Sequence, residues 1–246
     1  MWRRTTASTA IRLSVTAIFT SLVFVATTIF SIYVPQTKGF FNIGETMVYT
    51  TALLFGPLVG AFAGGVGSSL ADLFLGYPHY ALATLVIKAC EGALVGLFAR
   101  KRLLVVPKAQ WEEFTFRVGL VVGILVAYIG SVHYSGSMEL YFGILAQSPS
   151  LTLFIPWEFW VTLGALAFTL VAFMGYVFEP EFGWFVFSIL IGGSLMIAGY
   201  FLYQQFFLGV LAIAEIPVNI GQLTIGLIVA LPIVRAIWRS LPSLKS

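Results

Sequence analysis

Charge is scarce in this 246-residue sequence: Asp, Glu, Lys and Arg together make up 9% of it, whereas 59% of the residues are hydrophobic. This balance, with a mean hydropathy of +0.98, fits an integral helical membrane protein and not a water-soluble domain. The basic residues stand in short clusters between apolar segments, a pattern typical of membrane topology and not of nucleic-acid binding. We therefore predict an all-α, multi-pass protein of the cell membrane.

Cysteine and histidine are also nearly absent. The single cysteine, Cys90, lies inside an apolar segment, which excludes a disulfide framework and a thiolate metal site within the chain. The two histidines, His79 and His133, have no companions at the spacing of a metal site. No HExxH, GxSxG or Walker phosphate-loop pattern occurs. The sequence thus predicts no metal, no cofactor and no enzymatic activity.

One pattern does match an enzyme motif. Residues 112–117, EEFTFR, fit the EExxxR pattern of a class of intramembrane proteases. Those enzymes carry further histidine motifs downstream, and here His133 is the sole later histidine. A charged cluster is also ordinary at the cytoplasmic entrance of a membrane span. An intramembrane protease using Glu112 and Arg117 is therefore an alternative that the missing histidines disfavour.

One long uncharged stretch organises the rest of the chain. Residues 46–71 carry no charge, and at about 1.5 Å per helical residue they exceed one span of a hydrocarbon core about 30 Å thick. Gly56-Pro57 is the expected break, because Gly favours the position just past a helix and Pro the first position of the next one. We predict a short helix over 44–55 and a full-length helix over 57–76.

The remaining apolar stretches predict six more helices, separated by loops at 36–41 and 134–156 and by a turn at Gln204-Gln205. They cover residues 8–33, 81–99, 114–133, 157–178, 183–203 and 208–237. Together these make about eight transmembrane helices. Eleven of the thirteen Lys and Arg then fall on one side, which the positive-inside rule assigns to the cytoplasm together with both termini.

Ionisable and polar residues inside the predicted helices indicate a site, because they are costly in a membrane. Lys88 and Glu91 are three residues apart, so they share a helix face. Glu215, Asn219 and Gln222 follow an i, i+4, i+7 pattern on the last helix. The alternatives to ligand binding are a structural ion pair for the first group and a hydrogen-bonded helix contact for the second.

The N-terminus of the predicted short helix is expected to contribute to this site. It cannot cross a bilayer, so its first residues are expected within the membrane, where half-helix N-termini are recurrent ligand sites. These polar groups and nearby tyrosines, Tyr77 among them, are expected to line a small-molecule cavity in the outer half of the membrane. The predicted binding residues are Asn42, Glu45, Tyr49, Tyr80, Lys88, Glu91, Tyr203, Glu215, Asn219 and Gln222.

Small residues occupy one face of the first helix. Ala10, Ser14, Ala17 and Ser21 are spaced four, three and four apart, which places them on the same side. Such a face lets a second helix approach closely. It predicts a contact either with another helix of this chain or with another subunit.

Several short runs resemble a known family. They are NIGE at 42–45, ALLFGPLVG at 52–60, GGVGS at 64–68, ADL at 71–73, GYFLY at 199–203, AEIPVN at 214–219 and ALP at 230–232. By their order and spacing they resemble the substrate-binding S component of energy-coupling factor (ECF) vitamin transporters, in the riboflavin-type branch. The resemblance implies a subunit that captures a vitamin from outside and has no ATPase of its own. It further implies docking, through the small-residue face of the first helix, to a transmembrane coupling protein and two cytoplasmic ATPase subunits.

The chain departs from this family in length. The family has six helices, so residues 107–182 look like an inserted helix pair with an outer loop. The six-helix core would then comprise residues 8–106 and 183–238, within a single transmembrane domain over 1–246.

The ligand is expected to be riboflavin by branch, but the residues weaken that expectation. Riboflavin-binding members carry a lysine where this chain has Gln222. The three acidic residues of the predicted site outnumber Lys88, an excess that suits a cationic or amine-bearing vitamin. The alternative to an S component is a stand-alone, ion-coupled secondary transporter in which Asp72 or Glu215 carries the proton.

Overall fold

A computed structural model describes residues 6–34, 39–101, 107–141, 150–177 and 180–241. These residues form eight α-helices, a 3-10 helix and two antiparallel two-stranded sheets. The helices are α1 (Thr6–Ile29), α2 (Glu45–Phe55), α3 (Pro57–Leu75), α4 (Pro78–Lys101), α5 (Lys108–His133), α6 (Trp157–Val177), α7 (Pro180–Leu208) and α8 (Ile216–Ser240). The strands are β1 (Ser31–Val34), β2 (Gly39–Asn42), β3 (Gly136–Tyr141) and β4 (Ser150–Ile155).

Seven of these helices are long and apolar enough to cross a membrane. The exception is α2, which has 11 residues. The all-α membrane fold class is therefore confirmed, and so is the division of the long uncharged stretch into a short helix and a full one. Gly56 lies between the two with φ 82°, a conformation that favours glycine, and Pro57 begins α3.

Glycine allows α3 to approach its neighbours closely. A Cβ at Gly60 would lie 2.8 Å from the Gly92 carbonyl oxygen of α4, and one at Gly67 would lie 2.7 Å from the Thr20 carbonyl oxygen of α1. Side chains larger than hydrogen do not fit at such positions without moving a helix. The small residues of α3 therefore set the close packing of α1, α3 and α4.

The predicted loops contain strands. β1 pairs with β2 from Ser31↔Asn42 to Val34↔Gly39, and β3 pairs with β4. The first span consequently ends at Ile29 and not at residue 33, because the aromatic and β-branched run after it favours a strand. Parts of both predicted loops, 35–38 and 142–149, lie outside the described residues.

The predicted turn at Gln204-Gln205 is wrong, because α7 continues to Leu208. The chain has neither Gly nor Pro between residues 200 and 208 to end the helix, and the break comes at Gly209, with φ 57°. A 3-10 helix, Gly209–Glu215, then leads into α8. As a result Gln204 lies on the inner side of a helix and is buried.

The helix pair α5 and α6 packs along its own length. Gly123 and Gly164 bring the two backbones together, since a Cβ at Gly123 would lie 2.7 Å from the Gly164 carbonyl oxygen. The pair meets α7 and α8 through apolar side chains, among them Val171 and Leu227. That residues 107–182 are an insertion in a six-helix core stays a prediction.

Candidate functional site

A polar cavity of about 40 Å³ lies at one end of the helix bundle. Elements distant in sequence build it: α1, β2, α3, α4, α7, the 3-10 helix and α8. Its described lining consists of Thr27, Gly39, Phe40, Asn42, Ser68, Asp72, Tyr80, Thr84, Lys88, Tyr200, Gln204, Glu215, Asn219 and Gln222. The cavity is at the end where α4 and α8 begin, whereas Arg100 and Arg239 lie at their other ends. That the cavity lies in the outer half of the membrane, as the positive-inside rule implies, stays a prediction.

Lys88 occupies the inner side of the cavity between two carboxylates. Its ammonium forms ion pairs with Glu45 of α2 and with Glu91 of its own helix, the latter at 3.1 Å. The Tyr49 hydroxyl donates a hydrogen bond to the Glu91 Oε1 atom at 2.8 Å. All four side chains are buried. The predicted pair of Lys88 and Glu91 is present, and α2 adds a second acid to it.

A glycine of α8 makes room for this network. A Cβ at Gly226 would lie 2.6 Å from the Glu45 Cβ atom and 2.8 Å from the Tyr49 Cε2 atom. Because α8 has no side chain there, the acidic start of α2 can pack directly against it. The same helix supplies the next group of cavity residues.

The polar row predicted on the last helix faces inward, although its first member, Glu215, ends the 3-10 helix that precedes α8. Glu215, Asn219 and Gln222 are buried and line the cavity. The Gln222 Nε2 atom donates to the Asn219 Oδ1 atom at 3.1 Å, so part of this row satisfies itself. Their convergence on a cavity is a property of the fold, and their role in ligand binding stays a prediction.

The remaining predicted residues divide between the cavity and its rim. Asn42 and Tyr80 line the cavity, and the Asn42 Oδ1 atom accepts a hydrogen bond from the Gly44 backbone N–H at 2.9 Å. Tyr203 does not belong to the described lining. Its ring lies 5.9 Å from that of Tyr80, and its hydroxyl donates to the His79 backbone carbonyl. Tyr203 thus supports the aromatic rim and does not face the cavity.

Tyr77 belongs to the same rim, between α3 and α4. Its ring lies 4.8 Å from that of Phe40, a lining residue on β2. Burial, with smaller contributions from Tyr33 and Asp72, raises the pKa of Tyr77 to about 12. The phenol therefore stays neutral at physiological pH and acts as part of an aromatic wall.

Six polar lining residues were not predicted to bind ligand: Thr27, Ser68, Asp72, Thr84, Tyr200 and Gln204. Most of them stand four residues from another lining residue on the same helix, as Ser68 does from Asp72 and Tyr200 from Gln204. That spacing places both members of a pair on one helix face. Rows of uncharged polar residues at this spacing could have revealed them, and charge alone could not.

The other two sequence patterns lie away from the cavity. Ala10, Ser14, Ala17 and Ser21 are all exposed, so no described helix of this chain covers the small-residue face of α1. In the protease-like pattern, Glu113 pairs with Arg117 at 2.5 Å on the exposed surface of α5. Within the described ranges, no group of three or more His, Cys, Asp or Glu is arranged to hold a metal.

A buried polar cavity inside an apolar bundle of spanning helices is typical of multi-pass membrane proteins that bind small polar molecules. Residues 8–155 match the family described as ECF-type riboflavin transporter, S component, and the chain belongs to that family. It is an S component of a vitamin transporter in the cell membrane.

Two relatives are similar to parts of this chain. An uncharacterized protein of Pyrococcus woesei is 54% identical over 108 residues, which cover 44% of this chain and 67% of that protein. The thiamine precursor transporter HmpT of Lactococcus lactis is 33% identical over 113 residues, which cover 46% of this chain and 63% of that protein, less than two thirds of its length. The family and the Lactococcus relative both point to a transporter and not to an enzyme.

Proposed function

We propose that this S component captures a vitamin or vitamin precursor from outside in the polar cavity and delivers it inward with an ECF module. That module would consist of a transmembrane coupling protein and two cytoplasmic ATPase subunits. The observation that carries the proposal is the cavity itself, because polar side chains from α1, α3, α4, α7 and α8 converge there inside an apolar bundle. Such convergence is costly in a membrane unless a polar ligand uses it.

The energy for delivery has to come from outside this chain. The sequence carries no Walker phosphate loop. A ligand alone shifts a conformational equilibrium only by its differential affinity for the two states, so inward release of a tightly held vitamin needs a coupled energy source. ATP hydrolysis in the partner subunits supplies it in this proposal.

Binding requires the cavity to widen. A volume of about 40 Å³ accommodates only a few water molecules, since a cavity needs roughly 10–15 Å³ to hold a single water molecule. Gly39 and Phe40 of β2 line the cavity without belonging to a spanning helix. We expect the β1–β2 hairpin to move outward when ligand enters and to close over it afterwards.

The names of the family and of one relative give two ligand candidates. The family description gives riboflavin, and the Lactococcus protein is named for a thiamine precursor. Both are small, water-soluble ring compounds of the vitamin class. The first experiment therefore leaves the ligand open.

The test is to purify the full chain without added ligand and to identify what it carries. Native mass spectrometry would give the mass of a bound molecule, solvent extraction would release it, and an absorbance scan would detect a flavin. We expect one vitamin or vitamin precursor per protein.

Vesicles that contain this chain with an ECF module should then accumulate the same compound when ATP is inside. A module with inactive ATPase subunits is the control, and equal uptake with it would contradict the proposal.

A second function has a specific observation in its favour. Asp72 and Glu215, the two residues suited to carry a proton, both line the cavity. A stand-alone secondary transporter would use one of them and an ion gradient. In that case vesicles with this chain alone would accumulate substrate, and a protonophore would abolish the accumulation. ATP-dependent uptake that survives the protonophore excludes this alternative.

A further inference from the structure

We infer that the ligand of this cavity is a positively charged or amine-bearing heterocycle, and that Asp72 and Gln204 are the side chains that select it. The inference rests on the proposed function and names the chemical class of its substrate. It comes from three properties of the lining: acceptor atoms without partners, an excess of acid, and aromatic walls.

Two buried oxygen atoms in the cavity lack a hydrogen-bond partner among the described residues. They are the Oδ2 atom of Asp72 and the Oε1 atom of Gln204. Asp72 is 4% exposed and Gln204 is 1% exposed. Both residues line the cavity. Buried acceptors are almost always satisfied in folded proteins. A ligand that offers N–H donors to these two atoms would complete the site.

Hydrogen bonds to neighbouring residues determine which atoms of Asp72 and Gln204 remain available to a ligand. The Tyr200 hydroxyl donates to the Thr84 Oγ1 atom at 2.9 Å, and Thr84 hydrogen-bonds the Asp72 carboxylate. The second carboxylate oxygen, Oδ2, has no partner in the part of the chain that the structure describes. The Gln204 Nε2 atom donates to the Tyr80 hydroxyl at 3.1 Å. One N–H of its amide is so engaged, and the Oε1 atom of Gln204 remains available as an acceptor.

The charges of the lining favour a cation. Asp72 and Glu215 are its acidic members, and Lys88 is the single basic residue among its described members. Lys88 is already paired with two further carboxylates, those of Glu45 and Glu91. An anionic ligand would add to the negative charge of this lining. A cationic ligand would balance buried carboxylates that otherwise lose the solvation of water.

Aromatic faces favour the same ligand. Tyr80 and Tyr200 line the cavity, and the ring of Tyr80 lies 5.7 Å from that of Phe207 at the rim. The Lys88 ammonium lies 5.6 Å from the Tyr200 ring centroid, so this wall already accommodates a cation. Aromatic rings attract cations and stack with flat heterocycles.

Binding of defined probes to the full-length protein in detergent tests the inference. Calorimetry would compare thiamine, which joins a cationic ring to an aminopyrimidine, with a hydroxymethyl-substituted aminopyrimidine, neutral riboflavin and anionic pantothenate. We expect one of the two amine-bearing probes to bind at least about tenfold more tightly than riboflavin, and pantothenate not to bind.

Variants assign the selectivity to residues. Asp72→Asn and Gln204→Leu should each weaken the preferred amine probe by about tenfold or more, because each removes an acceptor from a buried contact. Glu113→Gln removes a carboxylate from the exposed surface of α5 and should leave binding unchanged. Melting temperatures of the ligand-free variants establish whether each variant is folded. If one variant does not fold, the comparison of the four probes on the unaltered chain still tests the inferred ligand class.

The outcomes separate the two proposals. Riboflavin binding more tightly than both amine-bearing probes would overturn the inferred ligand class and leave the S-component function intact. So would full affinity of the preferred amine probe for both Asp72→Asn and Gln204→Leu. Absence of binding by all four probes, with no ATP-driven uptake of any vitamin, would instead overturn the proposed function.

Discussion

Lys88 is the residue on which the buried charges of the site depend. It is 5% exposed and lies between Glu45 and Glu91, so it links α2 to α4 beneath the cavity. Its spacing from Glu91 made one of these pairs predictable from the sequence. The contact with Glu45 was not predictable, because it spans 43 positions and depends on how α2 packs against α4.

Replacing Lys88 with methionine should destabilise the protein strongly. The substitution keeps much of the side-chain volume and leaves two buried carboxylates without a cation, which typically costs about 3–5 kcal/mol. The measurement is thermal unfolding in detergent, monitored by tryptophan fluorescence. The double variant Lys88→Met with Glu91→Gln should recover part of the loss, since it removes one of the uncompensated charges.

The matched control is the ion pair on the surface of α5. The side chains of Arg117 and Glu113 are 74% and 61% exposed. Arg117→Met should therefore cost no more than about 1 kcal/mol, as is usual for exposed pairs. Similar melting temperatures for the Lys88 and Arg117 variants would contradict the role given to burial.

At the scale of elements, local chemistry was predictable and tertiary pairing was not. The division into α2 and α3 follows from Gly56-Pro57, which acts through neighbouring backbone atoms. The β1–β2 pairing was missed because strands of four residues carry too little periodicity to be recognised. The polar pair Gln204-Gln205 was interpreted as a helix end because polarity in an apolar segment resembles a loop. Gln204 is polar because it faces a cavity.

The α2–α3 connection combines a special backbone conformation with a side-chain contact. Gly56 has φ 82° and ψ −168°, and the Arg100 Nη2 atom donates to the carbonyl of the preceding Phe55 at 2.9 Å. Arg100 therefore satisfies a carbonyl at the C-terminus of α2 and holds the end of α4 against the connection. A Cβ at Gly56 would collide with the Arg100 guanidinium.

Gly56→Ala should consequently cost more than Gly76→Ala. Gly76 also has positive φ, 87°, but nothing lies within 4 Å of a Cβ placed there, so the Gly76 variant has backbone strain alone, about 1–2 kcal/mol. The Gly56 variant adds the displacement of Arg100, and we expect about 2–4 kcal/mol in total. Urea or thermal unfolding of both variants in the same detergent measures the difference. An equal loss would show that the Arg100 contact is dispensable.

At the scale of the whole molecule, the cavity and several exposed basic residues lie at opposite ends of the bundle. Arg12, Arg100, Lys108 and Arg239 all stand at the end away from the cavity. The charge pattern of the sequence was enough to predict this polarity, because it depends on helix order alone. Which helix faces remain uncovered depends on how the helices pack, and the sequence left that open for α1.

The exposed small-residue face of α1 gives the last prediction. Because Ser14 and Ala17 are exposed, replacing either with tryptophan should leave the melting temperature and ligand binding of the isolated chain unchanged. The same substitutions should weaken co-purification with an ECF module by about tenfold or more, since a bulky ring prevents a second helix from approaching.

Leu22→Trp is the control, because Leu22 is also exposed, at 40%, but lies about 120° around the helix from this face. Loss of co-purification in Leu22→Trp, or its retention in Ser14→Trp and Ala17→Trp, would place the docking surface elsewhere. If the module stays bound while uptake stops, the face acts in delivery after docking.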